Sequence, residues 1–327
     1  MALLLLAAQP SLGAQTPNPR LDRAVERLGA MEGVRTVDVW VGDERVASRE
    51  FRGADHRAWD VKSASKSVLS ALVGIALERG LLPGLDAPIA ELLPEEAARL
   101  DDPAKRAITL RHLLTMTSGL GSTSGEHYGR WVGSADWVRA ALARPLEHRP
   151  GEVFVYSTGS SHLVAAALER AVGRDLLAWG REALFDPLGL EVAGWAEDPQ
   201  GRRFGGNSFR VTPEALGRLG RLYLAGGRWQ GRQLVPAGWV AESTRAHAEG
   251  WPERYGAYGL LWWIPPFERE RGFLASGYGG QFLLVLPERD AVVVVTATHR
   301  GKGAAWDREL FGRIERELVP ALGAPSD

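Results

Sequence analysis

Cysteine is absent from all 327 residues, which excludes disulfides, thiolate nucleophiles and cysteine-ligated metals together. Neither sign of charge is in excess. The formal net charge is −1, and no basic run or arginine stripe could track phosphates, which argues against nucleic acid as a partner. Beyond the first residues no stretch is apolar for long enough to span a bilayer, so no stable membrane association is expected. The seven histidines form no His-Glu-x-x-His or other close ligand pair, against a zinc hydrolase. No cofactor is expected. Gly-x-Ser-x-Gly is missing too, which weakens an α/β-hydrolase reading.

Lysine is also scarce. Of 39 basic residues only those at 62, 66, 105 and 302 are lysine, leaving 35 arginines. A generic surface cation in this chain is therefore arginine. Lys66 stands three residues after Ser63, at the start of the apolar stretch that runs to Leu77. Arginine keeps its proton near neutrality, whereas a desolvated lysine can release one. The spacing places a serine one helical turn before a lysine, a candidate nucleophile with its base. The competing reading is that Ser63 only caps the helix.

Residues 68 to 77 are apolar around nearly the whole helical circumference, the pattern of a helix buried on all sides. A lysine in its first turn is then partly desolvated. Bringing its pKa from about 10.4 to neutrality takes roughly 4 kcal/mol. Free N–H groups at the same end favour negative charge near Ser63.

The rest of the pattern indicates an α+β fold. A helix is expected near 20–31, then a hairpin of strands near 36–41 and 45–51 about Gly42-Asp43, then the buried helix from Ser63. Helical patterns dominate from about 86 to 205, clearest over Ile108–Met116 and Ser161–Val172. Strands return at Gln281–Leu286 and Ala291–Thr296, and a helix near 303–319 closes the chain. Strands from both ends are expected to share one antiparallel sheet flanked by helices, with a helical subdomain inserted. This gives a single catalytic domain over 20–327, with an α/β part at about 20–85 and 206–327 and the helical part at about 86–205. Residues 1–14 are similar to the apolar core and small-residue cleavage site of a secretory signal, without its basic n-region. Residues 1–19 are thus a possible signal segment, and export to the periplasm or medium is favoured over a cytoplasmic location.

Two further segments can complete a site around Ser63 and Lys66. Pro150-Gly-Glu-Val-Phe-Val-Tyr156-Ser-Thr158-Gly sets a tyrosine before a helix, and a tyrosine beside a lysine can share its proton. A core aromatic with a tethered hydroxyl is the alternative. Ala275-Ser276-Gly277-Tyr278-Gly279-Gly280-Gln281 leads into a strand, where glycines let a substrate approach the backbone and an edge N–H meet a carbonyl oxygen. An ordinary glycine-rich bend is equally compatible. His112 reads as a tethered structural residue. Most of the twelve tryptophans read as core, although the Trp262-Trp263 pair could line a cleft.

These motifs together resemble the serine β-lactamase-like hydrolases around the class C β-lactamases, in the branch of 6-aminohexanoate-dimer hydrolase and related esterases. The resemblance runs over most of residues 30 to 300. It is carried by Ser63-Ala-Ser-Lys66, Leu72–Ala76, Ile108–Leu120, Pro150-Gly151, Tyr156-Ser-Thr158, Gly205-Gly-Asn207, Leu219–Tyr223, Tyr258–Trp263 and Gly277–Gln281. It implies a β-lactamase/transpeptidase-like fold, Ser63 as the acylated nucleophile, Lys66 as its base and Tyr156 as the proton relay. The backbone N–H groups of Ser63 and Tyr278 would form the oxyanion hole, and Thr158, Ser276 and Gly277 would meet the substrate.

The chain departs from that family at two of three motifs. Thr158 replaces the asparagine of Tyr-x-Asn. Ala275-Ser276-Gly277 stands where β-lactamases carry Lys-Thr-Gly, whose lysine helps hold the carboxylate of penicillins, so efficient β-lactam hydrolysis is not expected. The remaining candidate substrates are carboxylic esters and linear or cyclic amides, an ester or linear amide above all. A true β-lactamase or D-amino-acid peptidase is the alternative enzyme. A non-catalytic penicillin-binding-like sensor is the alternative from another class.

Overall fold

The computed structural model describes residues 18–54, 56–267, 270–298 and 303–323. The leader-like segment 1–14 lies outside the described residues. Among the described residues thirteen strands follow in chain order: β1 Val34–Val41, β2 Glu44–Glu50, β3 Trp59–Asp60, β4 Gly194–Trp195, β5 Phe209–Val211, β6 Arg228–Trp229 and β7 Arg232–Gln233. Then come β8 Ala248–Trp251, β9 Gly256–Tyr258, β10 Trp263–Ile264, β11 Phe273–Gly277, β12 Gln281–Leu286 and β13 Ala291–Ala297. Eight of them form one sheet in the order β2-β1-β13-β12-β11-β10-β9-β8, with every pairing antiparallel. Both chain ends meet there, as expected: Val37 faces Val295 across β1 and β13.

Strands β11, β12 and β13 are buried at every position, because helices cover both faces of the sheet centre. On one side the helix Pro213–Leu224 lies so close that a Cβ on Gly220 would sit 2.6 Å from Val292 and 2.7 Å from Leu283. On the other side Phe282 packs against Phe311 of the helix Gly303–Arg313, ring centroids 5.7 Å apart. The apolar runs in β12 and β13 are thus unbroken rather than alternating.

The structure corrects helix boundaries where backbone chemistry intervenes. Residues Lys62–Ala64 form a tight 3-10 turn, and the buried α-helix runs over Ser65–Glu78 rather than from Ser63. The helix expected over Ile108–Met116 is limited to Leu110–Leu114. Thr109 caps it with its side chain, His112 Nδ1 accepts the Thr109 N–H at 3.2 Å, and Met116 at φ 59° turns the chain away. His112 is tethered there, as expected. A small sheet, β3-β5-β4, was not legible, since its outer strands have only two residues each.

Ser65–Glu78 is buried from Ser65 to Ala76. Its serines tie it to the connection between β9 and β10: Ser67 Oγ donates to the Leu261 carbonyl at 2.8 Å and Ser70 Oγ to that of Leu260 at 2.7 Å. Gly74 admits Trp239, whose ring would lie 2.3 Å from a Cβ. Val68, Leu69, Leu72, Val73 and Ile75 are at most 3% exposed. At roughly 1.5–3 kcal/mol for each buried aliphatic side chain, they offset the cost of carrying a lysine inside the same helix.

Candidate active site

The turn Lys62–Ala64 holds Ser63 at the head of the buried helix, partly exposed to a cleft of about 590 Å³. No side chain caps the turn or the helix. The Ser63 hydroxyl instead lies 3.0 Å from Lys66 Nζ, which removes the capping reading. Immediately before it, Lys62 adopts φ 53°, a left-handed conformation that costs a residue with a side chain about 1–3 kcal/mol. Asp60 holds it there, accepting from the Lys62 backbone N–H at 2.9 Å and from its Nζ at 2.6 Å.

Lys66 is 1% exposed. Its amine reaches the Gly206 carbonyl at 3.0 Å and Thr158 Oγ1 at 3.5 Å, and lies 5.1 Å from the Tyr156 ring centroid. No carboxylate pairs with it among the described residues, and desolvation lowers its pKa from 10.5 to about 7. Burial moves Tyr156 the other way, to about 12, against the opposing effects of a hydrogen bond with Ser63 and the charge of Arg254. Two groups whose environments drive their pKa values apart divide the labour of proton transfer. The amine can be the base and the phenol stays a proton donor.

Tyr156 and Thr158 are held by a rung of hydroxyls that the sequence reading missed. Ser122 Oγ donates to the Tyr156 carbonyl at 2.7 Å, and Ser124 Oγ accepts the Thr158 N–H at 2.8 Å while touching Thr158 Oγ1 at 3.0 Å. Between them Thr123 Oγ1 accepts the Gly159 N–H at 2.7 Å. Thr158 thus starts the helix Thr158–Val172 with its hydroxyl facing the amine. The available signal was the hydroxyl run Ser122-Thr-Ser124 next to Thr117-Ser-Gly-Leu120.

Glycines in the loop after β4 also gain a reason. A Cβ on Gly206 would lie 2.7 Å from Lys66 Nζ and 2.5 Å from Ser161 Oγ. Only a hydrogen side chain leaves the amine its place. Gly277 at the end of β11 is as constrained, since a Cβ there would be 2.1 Å from the Val61 carbonyl oxygen. This contact presses the third motif against the turn that carries Ser63. Ser276, 8% exposed, and Tyr278, 57% exposed, line the same cleft.

The aromatic wall of the cleft is Tyr156, Trp263 and Trp251. Tyr156 stacks on Trp263 at 5.7 Å and 19°, and Trp251 on Trp263 at 5.0 Å and 26°. The tryptophan pair therefore divides: Trp263 faces the cleft, while Trp262 is fully buried against Tyr223 at 4.7 Å. Ala275 is 1% exposed and does not line the cleft. Arg254 does, a cation the sequence reading did not single out. It is paired with the buried Asp307 at 3.0 Å and lies 4.7 Å from the Tyr255 ring.

A family model described as Beta-lactamase matches residues 21–312. The chain belongs to that family. Among characterised relatives, the esterase EstB of Burkholderia gladioli is 32% identical over 167 residues, 46% of this chain and 41% of that protein. The lovastatin esterase of Penicillium rubens is 28% identical over 190 residues, 50% of this chain and 46% of that protein. The matched segments span less than half the length of these two relatives. Among solved structures, a Bacillus anthracis protein provisionally described as a 6-aminohexanoate-dimer hydrolase superposes with TM-score 0.74 at 20% identity, over 95% of this chain and 84% of that one. EstCE1, described as a hydrolase with promiscuous acyltransferase activity, superposes with TM-score 0.76 at 16% identity, over 91% and 99%. These likenesses show the β-lactamase/transpeptidase-like fold expected from the motifs.

Proposed function

We propose that residues 20–327 act as one catalytic unit, a serine hydrolase that cleaves small esters or linear amides through an acyl-Ser63 intermediate. The observation that carries this is the 3.0 Å approach of an almost fully buried amine, without a counter-ion among the described residues, to Ser63 Oγ. Neutral Lys66 takes the hydroxyl proton as Oγ attacks the substrate carbonyl. The N–H groups of Ser63 and Tyr278 receive the developing oxyanion. The proton then passes through Tyr156 to the leaving group, and the same pair later strips a proton from the water that releases the acid. Thr158, Ser276 and Gly277 border the substrate.

The esterase names among the relatives support this substrate class, and the cleft does as well. Its wall is aromatic, the third motif contributes no cation, and the charge of Arg254 is met by Asp307. β-Lactams accordingly rank below esters. Among the described residues no helix is long and apolar enough to cross a membrane. Export, suggested by residues 1–14, belongs to the same proposal.

The test is labelling with a fluorophosphonate, followed by turnover of p-nitrophenyl acetate and of nitrocefin. We expect labelling that is lost in Ser63→Ala, ester turnover, and much slower nitrocefin hydrolysis. Undiminished labelling of Ser63→Ala would refute the nucleophile. Labelling without turnover would favour a sensor, and nitrocefin turnover rivalling the ester a lactamase.

A pH profile follows from the amine. Lys66 must be neutral to act, so kcat/KM should rise with pH through about 7. Tyr156, pushed to about 12, stays protonated throughout. A profile flat from pH 5 to 9 contradicts the assignment of Lys66 as base.

A further inference from the structure

His162 is a fully buried imidazole for which the reaction above has no use. It projects from the helix Thr158–Val172 into a cage of Trp131, Trp137 and Phe204, ring centroids 5.5–5.9 Å away. Its Nε2 lies 3.0 Å from Asp198 Oδ2, and the Gly205 N–H donates to its Nδ1 at 3.4 Å. Desolvation lowers the His162 pKa. At Asp198, burial acts to raise the pKa, but hydrogen bonds from His162 and the Arg202 backbone outweigh it and leave the carboxyl below its ordinary value.

A carboxylate only accepts, so Nε2 must carry the hydrogen and Nδ1 the lone pair that meets Gly205. The residue after Gly205 supplies the carbonyl that binds Lys66 Nζ at 3.0 Å. A neutral amine has two hydrogens and one lone pair. Fixing one hydrogen on Gly206 limits where the lone pair points.

We propose that His162 and Asp198 are positioning residues for Lys66. Asp198 sets the tautomer of His162, His162 holds the Gly205 N–H, and the Gly206 carbonyl so held turns the amine lone pair toward Ser63. This rests on the reading of Ser63 and Lys66 as nucleophile and base. The loop has little freedom otherwise, since a Cβ on Gly205 would lie 2.3 Å from the Ser161 carbonyl. Small displacements therefore reach the amine.

Asp198→Asn tests the tautomer without changing volume. Asp198 Oδ1 accepts the backbone N–H groups of Gln200 and Arg202 at 2.8 and 2.9 Å. The asparagine oxygen must stay on that side, so its NH2 faces His162 Nε2. The imidazole then protonates at Nδ1 and opposes the Gly205 N–H, donor against donor. His162→Gln keeps a donor for Asp198 but leaves Gly205 without an acceptor. His162→Asn does the reverse, placing an amide oxygen where Nδ1 was.

Asp198→Asn and His162→Gln should each lower kcat for p-nitrophenyl acetate about ten- to hundredfold, by analogy with the outer-shell partners that orient metal ligands. Both should also move the rise of kcat/KM to lower pH, because an amine that loses its carbonyl partner loses support for its charged form. His162→Asn should keep the parent's profile. The charged groups acting on His162 are Asp198, Arg202 and Asp136, and the titratable group beside Lys66 is Tyr156. His162→Gln changes no charge, so its pH shift separates geometry from field. Unaltered kcat and profile in either folded variant overturns the proposal, as does loss of the folded circular dichroism spectrum in both. Failure of the underlying reading is scored separately, by fluorophosphonate labelling that survives Ser63→Ala.

Discussion

Lys66→Met is expected to lower kcat/KM for p-nitrophenyl acetate by about 10,000-fold or more, the scale seen when a nucleophile loses its base. The same change is expected to stabilise the fold at acidic pH. An ordinary lysine value of 10.5 lowered to about 7 means that at pH 6 the native state holds an ammonium in a dry site. At about 1.4 kcal/mol per tenfold, that costs on the order of 5 kcal/mol. The unfolded chain binds the proton more tightly, so stability of the parent rises as pH climbs from about 7 toward 10.5. Methionine removes the charge and returns only the penalty of an unsatisfied Gly206 carbonyl, about 1–3 kcal/mol. The gain in Tm on substitution should therefore be larger at pH 6 than at pH 9. Thermal melts at the two pH values check this. A gain that is equal at both, or larger at pH 9, would mean the amine is not held neutral by burial.

Lys66 belongs to the part of the site that is legible in the sequence. Ser63 and Lys66 are three residues apart on one element, and Tyr156 precedes a helix whose apolar run is plain. Local pattern carries such information, as the unbroken apolar runs do for β12 and β13 and alternation about a turn does for the β1–β2 hairpin. The Gly206 carbonyl, the Ser122–Ser124 hydroxyls and Arg254 were not assigned a role. Each reaches the site from a segment remote in sequence, 140 residues away for Gly206 and Lys66, and backbone carbonyls have no residue type to betray them. Trp263 and Trp262 illustrate the same limit. Adjacent and identical, Trp262 just before β10 and Trp263 its first residue, they face opposite surroundings as successive residues of extended chain do, and nothing in the pair itself says which one meets the cleft.

Gly277→Ala carries the second large effect, and it depends on a contact rather than on flexibility. The sequence suggests that glycine there admits substrate, whereas the structure gives it a second task, close passage of β11 over the Val61 carbonyl. A methyl group 2.1 Å from that oxygen and 3.1 Å from Lys62 Cβ cannot be accommodated in place. The Val61 oxygen is backbone and the Cβ atoms of Lys62 and Gln281 are fixed to theirs, so either the end of β11 or the turn Lys62–Ala64 must move. The N–H of Tyr278 and that of Ser63 sit on those two moving parts. Separating them should cost about 2.7–4 kcal/mol of transition-state stabilisation, or a hundred- to thousandfold in kcat. KM should change far less, because the aromatic wall of Tyr156, Trp251 and Trp263 is untouched. Crowding of this kind also lowers stability by about 1–3 kcal/mol, so kcat is to be compared well below the Tm of the variant. A folded Gly277→Ala enzyme with the parent's kcat would show that the strand end and the serine turn do not together hold the oxyanion.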